Sequence, residues 1–345
     1  MSKKIIIYLI LFFAFNNVKS QDIHFSQFNE NPMMLNPAYA GYYKGDFRAY
    51  INYKDQWASI SNVYKTYAVS ADFILFKNTQ KKKLTGIGLS SFQDIAGASK
   101  TKTSRIDLNL SQTIYLNEDS DLSLGIGITY MELSANYAGL AWGTQYSGIG
   151  YDNTLPTLES FTGFGKRFVD FSAGLLYSYI SEESKMPFEV GLSVYHLTQP
   201  NIGVISSTDI LSMKYTLNIN KEIKITNESY GLHLLAYITN QATAREFNIG
   251  FLMRASFDAN SKLSGFYNDN KVYFGGFYRI GNAIILMSKF QFNKNYTVGL
   301  SYDVNISRLN VASRLRGGPE VSFSYTGTIF NFEIQTPRFL MEKTK

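Results

Sequence analysis

The chain contains no cysteine, and this absence removes several chemistries at once. No disulfide framework, thiolate metal site, cysteine nucleophile or lipid-modified N-terminal cysteine is available. Histidine is almost as scarce: His24, His196 and His233 are too far apart in sequence to form a local metal motif. Charged residues make up 17% of the chain, against roughly 25% in an ordinary soluble protein. Of 33 basic residues three, Lys3, Lys4 and Lys19, lie in the first twenty positions, so 30 face the 27 acidic ones. That excess is too mild and too scattered for a nucleic-acid binder. After Gln21 no run of 18 apolar residues occurs, which excludes transmembrane helices. Neither a phosphate-binding loop nor a Gly-x-Ser-x-Gly elbow is present, so no cofactor and no enzymatic activity are expected.

The first twenty residues read as a secretory signal peptide. Lys3 and Lys4 precede an apolar run from Ile5 to Phe15, and Val18 and Ser20 suit cleavage before Gln21. The run is about eleven residues, short of the roughly 20 that a spanning helix needs, which disfavours an N-terminal anchor. The mature chain therefore begins outside the inner membrane.

What the rest of the chain has is alternation. Ile106, Leu108, Leu110, Ile114 and Leu116 alternate with Asp107, Asn109, Ser111, Thr113 and Tyr115; similar patterns run through residues 122–130 and 296–307. A period of two gives each strand one apolar and one polar face. The polar face is Gly, Ser, Thr, Asn and Tyr rather than Lys and Glu, which disfavours a soluble secreted all-β protein. Segments of about 10 to 14 residues also exceed the usual soluble strand and match the 9 to 11 tilted residues that cross a bilayer. Tyr and Phe, 25 and 26 in number, then have a place as girdles at the membrane boundary. The expected fold is all-β: a transmembrane antiparallel barrel in the outer membrane.

The candidate strands are Asp46 to Tyr53, Val63 to Phe76, Leu84 to Phe92, Thr103 to Leu116, Asp121 to Leu133, Lys166 to Tyr179, Pro187 to His196, Leu211 to Asn220, Ser229 to Thr239, Glu246 to Phe257, Lys271 to Ile280, Ala283 to Phe292, Tyr296 to Asn305 and Pro319 to Thr326. That is about fourteen, an even number as closure with both termini on one side requires; Lys262 to Tyr267 is one further candidate. Short turns such as Asn117 to Ser120 would be periplasmic, and long connections such as Ser134 to Gly165 and Thr198 to Leu211 would lie at the cell surface, a parity that blurs after Ser229. Asp22 to Gly41, with Pro32 and Pro37, is too irregular for a strand and suits a plug in the lumen. The domain map is thus a signal peptide over 1–20, a plug segment over 21–45, the barrel over 46–327 and a tail over 328–345. Gly86-Ile-Gly88 and Gly125-Ile-Gly127 imitate a dinucleotide fingerprint, but no helix follows, and they read as small residues on a lumen face. A hydrolase built on His196 or His233 among strand serines is the enzymatic alternative, without a motif to support it.

The irregular parts carry a resemblance. Phe25-Ser26-Gln27, Asn31-Pro32, Leu35-Asn36-Pro37-Ala38-Tyr39-Ala40-Gly41, Arg48, Asn52-Tyr53 and Gln56-Trp57 open the mature chain. Tyr67, Ser70, Asp72, Asp94-Ile95-Ala96-Gly97, Tyr195-His196-Leu197-Thr198-Gln199-Pro200, Tyr278-Arg279-Ile280-Gly281-Asn282-Ala283, Ser301-Tyr302-Asp303 and Gly317-Gly318-Pro319-Glu320-Val321-Ser322 follow. Together they resemble the PorP/SprF family of Bacteroidetes outer-membrane proteins, over almost the whole mature chain. Two departures stand out: Thr336-Pro337-Arg338-Phe339 replaces the family's usual Cys-Pro-Arg-Phe, and Asn282 stands where Asp is frequent. The motif positions are Asn36, Pro37, Gly41, Trp57, His196, Gln199, Pro200, Asp303, Gly317, Gly318 and Glu320. The resemblance implies a component of the type IX secretion system that works with translocon subunits and outer-membrane lipid. It implies support for secretion and anchoring of a large surface protein, such as a gliding adhesin, through that protein's type B C-terminal sorting domain. Trp142, Tyr146, Tyr151 and Asn201, on the two long connections, are the partner-binding candidates. The alternative is a channel for a small or hydrophobic molecule.

Overall fold

A computed structural model describes residues 23–56, 64–78, 83–97, 99–136, 140–158, 165–180, 186–203, 209–226, 229–260, 267–307 and 313–328. The cleavage-site residues Ser20 and Gln21, together with Trp57 and almost all of the tail, lie outside them. Fourteen strands run in chain order: β1 (Phe47–Asp55), β2 (Tyr64–Asn78), β3 (Lys83–Ala96), β4 (Thr101–Tyr115), β5 (Ser120–Ser134), β6 (Gly165–Ile180), β7 (Pro187–Tyr195), β8 (Lys214–Thr226), β9 (Tyr230–Gln241), β10 (Ala244–Asn260), β11 (Tyr267–Arg279), β12 (Ala283–Phe292), β13 (Tyr296–Asn305) and β14 (Arg316–Gly327). Each pairs antiparallel with its chain neighbours, and β1 pairs with β14 from Phe47↔Gly327 to Lys54↔Glu320, closing the barrel.

The distribution of side chains is inverted relative to a soluble protein. On β4, Ile106, Leu108 and Leu110 are 46, 41 and 39% exposed, while Asp107, Asn109 and Ser111 between them are 4, 2 and 3% exposed. The same inversion holds on β5 for Leu124, Ile126 and Ile128 against Ser123 and Thr129. Such a surface is stable only where the outer medium is apolar, and closure leaves no strand edge unpaired inside it.

Connections alternate between the two ends. The strand ends joined by the connections β3–β4, β5–β6, β7–β8, β9–β10, β11–β12 and β13–β14 lie at one end, hereafter the loop end, and those joined by β4–β5, β6–β7, β8–β9 and β12–β13 at the other, where β1 starts. The parity persists to the end of the chain. It blurs in the sequence because the loop-end connections β9–β10 and β11–β12 shrink to two and three residues. Several boundaries also differ from expectation. β3 continues through Asp94 to Ala96, because a tight turn at Gly97 (φ 73°) lets Ala96 pair with Thr101. β8 spans Lys214–Thr226, so Leu211 belongs to the loop, where its amide donates to the Pro200 carbonyl at 2.9 Å. His196 follows β7 rather than ending it, with φ 62°. Tyr267 opens β11, and the remainder of the extra candidate from Lys262 lies outside the described residues.

The lipid-facing assignment has a direct test. Ile126→Arg, at the middle of β5 and 61% exposed, should cost about 2–4 kcal/mol of folding free energy in phospholipid vesicles. Equilibrium unfolding that shows no loss would place Ile126 in water instead.

Candidate functional site

Residues 23–45 run through the lumen, and their local structure follows from two Asn-Pro pairs. Proline fixes φ for the first position of a tight turn, and at the second pair the preceding Asn36 caps it, whereas Asn31 makes no side-chain cap. Pro32–Met34 and Pro37–Tyr39 accordingly form 3-10 turns, and the Asn36 side chain accepts the Ala38 amide at 2.9 Å. The wall supplies donors to the plug's carbonyls: Ser111 to Ala40 (2.5 Å), Ser123 to Ala38 (2.9 Å), Ser193 to Leu35 (2.6 Å) and Tyr195 to Met33 (3.2 Å). Asn36 Nδ2 donates in return to the carbonyls of Leu175 and Leu192, at 2.9 and 3.2 Å.

Glycine makes this contact possible. A Cβ on Gly86 would sit 2.1 Å from the Ala40 carbonyl oxygen, and one on Gly125 would sit 2.2 Å from the Ala38 nitrogen. Gly86 and Gly125, one from each Gly-Ile-Gly run, are therefore the footprint of the plug backbone on β3 and β5, while Gly88 makes room for the Met33 side chain and Gly127 for Ser172 and Asn109 of the wall. Gly41, with φ 67°, turns the plug away, and its amide donates to Asp72 at 2.9 Å. Asp72 also receives Arg48 in a two-pronged pair at 2.9 and 2.8 Å, which fixes the segment entering β1.

At the loop end the plug is held by charge. Glu320 accepts the amides of Ser26 (2.8 Å) and Gln27 (3.0 Å) and the side chain of Asn52 (2.9 Å). Lys54 lies 3.8 Å from Glu320 and 3.9 Å from Asp303, and donates to the His24 carbonyl at 3.0 Å. Arg279 spans Asp303 (3.0 Å), Glu246 (3.1 Å) and the Ser26 hydroxyl (3.0 Å). Lys54, Arg279, Asp303 and Glu320 are all enclosed. Gly317 and Gly318 shape this corner: a Cβ on the first would meet the Asp303 carbonyl oxygen at 2.2 Å, and on the second the Asp55 carbonyl oxygen at 2.1 Å.

At the opposite end, Tyr39 receives Asn218 at 2.8 Å and donates to Glu189 at 3.3 Å, and Tyr42 donates to Asp121 at 3.2 Å. Burial first and the Glu189 charge second push the Tyr39 hydroxyl well above its ordinary range, so it remains a donor.

The loops are built separately. His196 Nδ1 lies 2.7 Å from Asp170, which also accepts the Thr198 hydroxyl at 2.7 Å and its amide at 3.2 Å. His196 is fully enclosed, and with Gln199 (φ 47°) and Pro200 it turns the chain from β7 into a hairpin bridged at Asn201↔Ile210. This pair secures a loop rather than presenting a reactive group. Tyr146 and Tyr151 bridge and pack edge to face at 5.3 Å on the longest loop, where buried Gln145 ties Trp142 to Leu155. Asn201 meets Lys166 at 3.4 Å on a different loop. The motif residues thus divide in two. Asn36, Pro37 and Gly41 belong to the plug and Asp303, Gly317, Gly318 and Glu320 to the wall that seats it, whereas His196, Gln199 and Pro200 serve the β7–β8 loop. Lys54, Arg279, Asp72 and Asn52 on the wall, with Ser26 and Gln27 of the plug, complete the site. The signal of the four wall residues is charge or amide at lumen-facing positions of strands otherwise lined by small hydroxyls.

Two substitutions test the plug. Glu320→Ala removes a carboxylate beside enclosed Lys54 and strands the Ser26 and Gln27 amides, and should cost roughly 3–5 kcal/mol in urea unfolding of the refolded barrel. Gly86→Val, which drives a side chain into the plug backbone, should raise ion conductance in planar bilayers above the wild-type level. Unchanged conductance would show that the plug does not rest on β3.

A family model described as "Type IX secretion system membrane protein PorP/SprF" matches residues 17–325. Among solved structures, the chain is similar to the CymD monoaromatic hydrocarbon channel, at 11% identity and TM-score 0.48, covering 87% of this chain and 93% of that one. It is similar also to the P. putida toluene transporter TodX (9% identity, TM-score 0.46, 87% of this chain and 95% of that one). BamA from Haemophilus ducreyi lacking POTRA domains 1-3 is a third (8%, 0.41, 82% and 70%). No curated protein matches. The matched span covers the plug and nearly all of the barrel, and the chain belongs to the PorP/SprF family of type IX secretion system membrane proteins.

Proposed function

We propose that this barrel is a dedicated partner in type IX secretion that supports export and surface anchoring of one large secreted protein, binding that protein's type B C-terminal sorting domain at the loop end. The observation that carries the reading is the filled lumen in a chain of this family: the polar interior is occupied by the chain's own residues 23–45. A barrel so occupied offers surface rather than passage. The surface is at the loop end, where Tyr146, Ile149, Tyr151 and Leu158 project from one long loop and Ile210 from the other. Exposed aromatic and aliphatic side chains on a well-tied loop are suited to receive a partner's extended strand. The reading places the protein in the outer membrane after removal of residues 1–20, in contact with translocon subunits.

The test is recovery of the tagged barrel from solubilised outer membrane, with bound proteins identified by mass spectrometry. A large secreted protein ending in a sorting domain should copurify. Replacing residues 140–158 with a short Gly-Ser linker should remove that protein while leaving the barrel folded. A wild-type barrel recovered alone would overturn the reading in favour of a channel.

A further inference from the structure

A second feature of the lumen lies at the end where β1 starts. There a cavity of about 250 Å³ separates the plug from the wall, lined among others by Tyr39, Tyr42, Tyr43, Glu189, Asn218 and Asn220. Its polar groups are unevenly used. Glu189 receives only neutral donors, the Tyr39 hydroxyl at 3.3 Å and Asn220 Nδ2 at 3.2 Å, both on the same oxygen. Among the described residues no basic side chain pairs with it. Arg48 also lines the cavity; its Nε and Nη2 are engaged by Asp72 and the Tyr39 carbonyl, and the Asp72 carboxylate offsets its charge. Asn218 spends its amide nitrogen on the Tyr39 hydroxyl at 2.8 Å, and its carbonyl oxygen is buried without a partner. Asn220 is in the same condition, its nitrogen on Glu189 and its oxygen unpaired. Behind Tyr42, buried Asp121 adds a second carboxylate, with one oxygen on the Tyr42 hydroxyl and the other unpaired.

Around Glu189 the remaining hydrogen-bonding capacity is therefore made of acceptors, beside tyrosine rings. Such a set favours a donor over an acceptor. A buried amide oxygen without a donor and a carboxylate without a cation each carry a desolvation cost that a donor-only cation removes. A primary ammonium has three donors and no acceptor, and aromatic faces add cation–π attraction, as Arg48 shows over the Tyr43 ring at 4.6 Å. Calcium fits less well, since it takes six to eight oxygens with several carboxylates, and Glu189 is the one carboxylate on the lining. We propose that this cavity is a binding site for a primary ammonium group on a slender alkyl chain, either a free amine or a lysine side chain offered by a periplasmic protein. The volume is ample, since benzene occupies an apolar cavity of about 150 Å³.

The test is isothermal titration of the detergent-solubilised full barrel with n-pentylamine, with pentan-1-ol as the uncharged counterpart. Pentylamine should bind and pentanol should not. Glu189→Gln keeps the shape and the hydrogen bonds to Tyr39 and Asn220, and should weaken pentylamine at least tenfold. Asn218→Leu removes an acceptor without touching the carboxylate and should weaken it about fivefold. Heat-modifiable mobility on gels verifies that each variant is folded, and either folded variant suffices. Nα-acetyl-lysine N-methylamide separates the sources: tighter binding than pentylamine indicates a protein lysine, and weaker binding indicates a free amine, both of which support the site. Equal affinity in wild type and Glu189→Gln, binding of pentanol as strong as that of pentylamine, or displacement of pentylamine by micromolar calcium chloride would each overturn it.

Discussion

The structure depends on the pairing of β1 with β14. Lipid satisfies no backbone hydrogen bond, so a sheet of this composition exists in a membrane only if its two ends meet. The last step of that register sets Lys54 opposite Glu320. Glu320 is also where the plug ends its course, because its carboxylate takes the amides of Ser26 and Gln27. Closing the barrel and seating the plug are therefore one event in structural terms. The chain's two extremes, nearly 300 residues apart, are joined through a single side chain.

This arrangement explains the expense of the interior. Lys54, Arg279, Asp303 and Glu320 are enclosed, and a buried ion cluster is seldom a better source of stability than apolar packing of the same volume. What it provides is register. A lumen lined by serines, threonines and glycines would accept the plug in several positions, as flat hydroxyl surfaces do not discriminate. Charges that are satisfied in one position only, together with glycines at 86 and 125 that admit the backbone only there, leave one seat. The Gly317-Gly318-Pro319 run serves the same end by letting the Asp55 and Asp303 backbones close round Glu320.

The barrel was legible in the sequence because its physics is local. Alternation, segment length and a polar face without Lys and Glu are each visible within a dozen residues, and Ile106 to Tyr115 illustrates all three. The strand ends were less legible where charge misled: Lys221, Glu222 and Lys224 look like a loop yet continue β8, Glu222 and Lys224 facing the lumen and Lys221 lying over the Phe188 ring on the other face. The site was legible only as fragments. Asn36-Pro37 and Gly317-Gly318-Pro319-Glu320 stood out because they break the alternation. Nothing in either fragment says that they share one lumen, because that contact depends on closure between distant segments. Lys54 and Arg279 were harder still, since each fits its strand's pattern and differs only in carrying charge.

The plug also bears on what this barrel can do. The lumen holds cavities on both sides of it, one at the loop end beside His24, Phe25, Arg105 and Lys214, and one at the other end beside Glu189. Phe28 and Leu35 line both. Passage from one cavity to the other runs past these two side chains and the turn Pro32–Met34 that lies between them. That turn is continuous with Ser26 and Gln27, so displacement pulls on Glu320 and on the seam that closes the sheet. A passage through the centre would thus be opposed by the interactions that hold the wall together. Docking at either mouth demands no such movement: loops ordered by Asp170 and His196 stand at one end, and a preformed acceptor cavity stands at the other. The architecture favours a rigid adaptor, one that presents two different faces across a membrane while keeping its own interior shut.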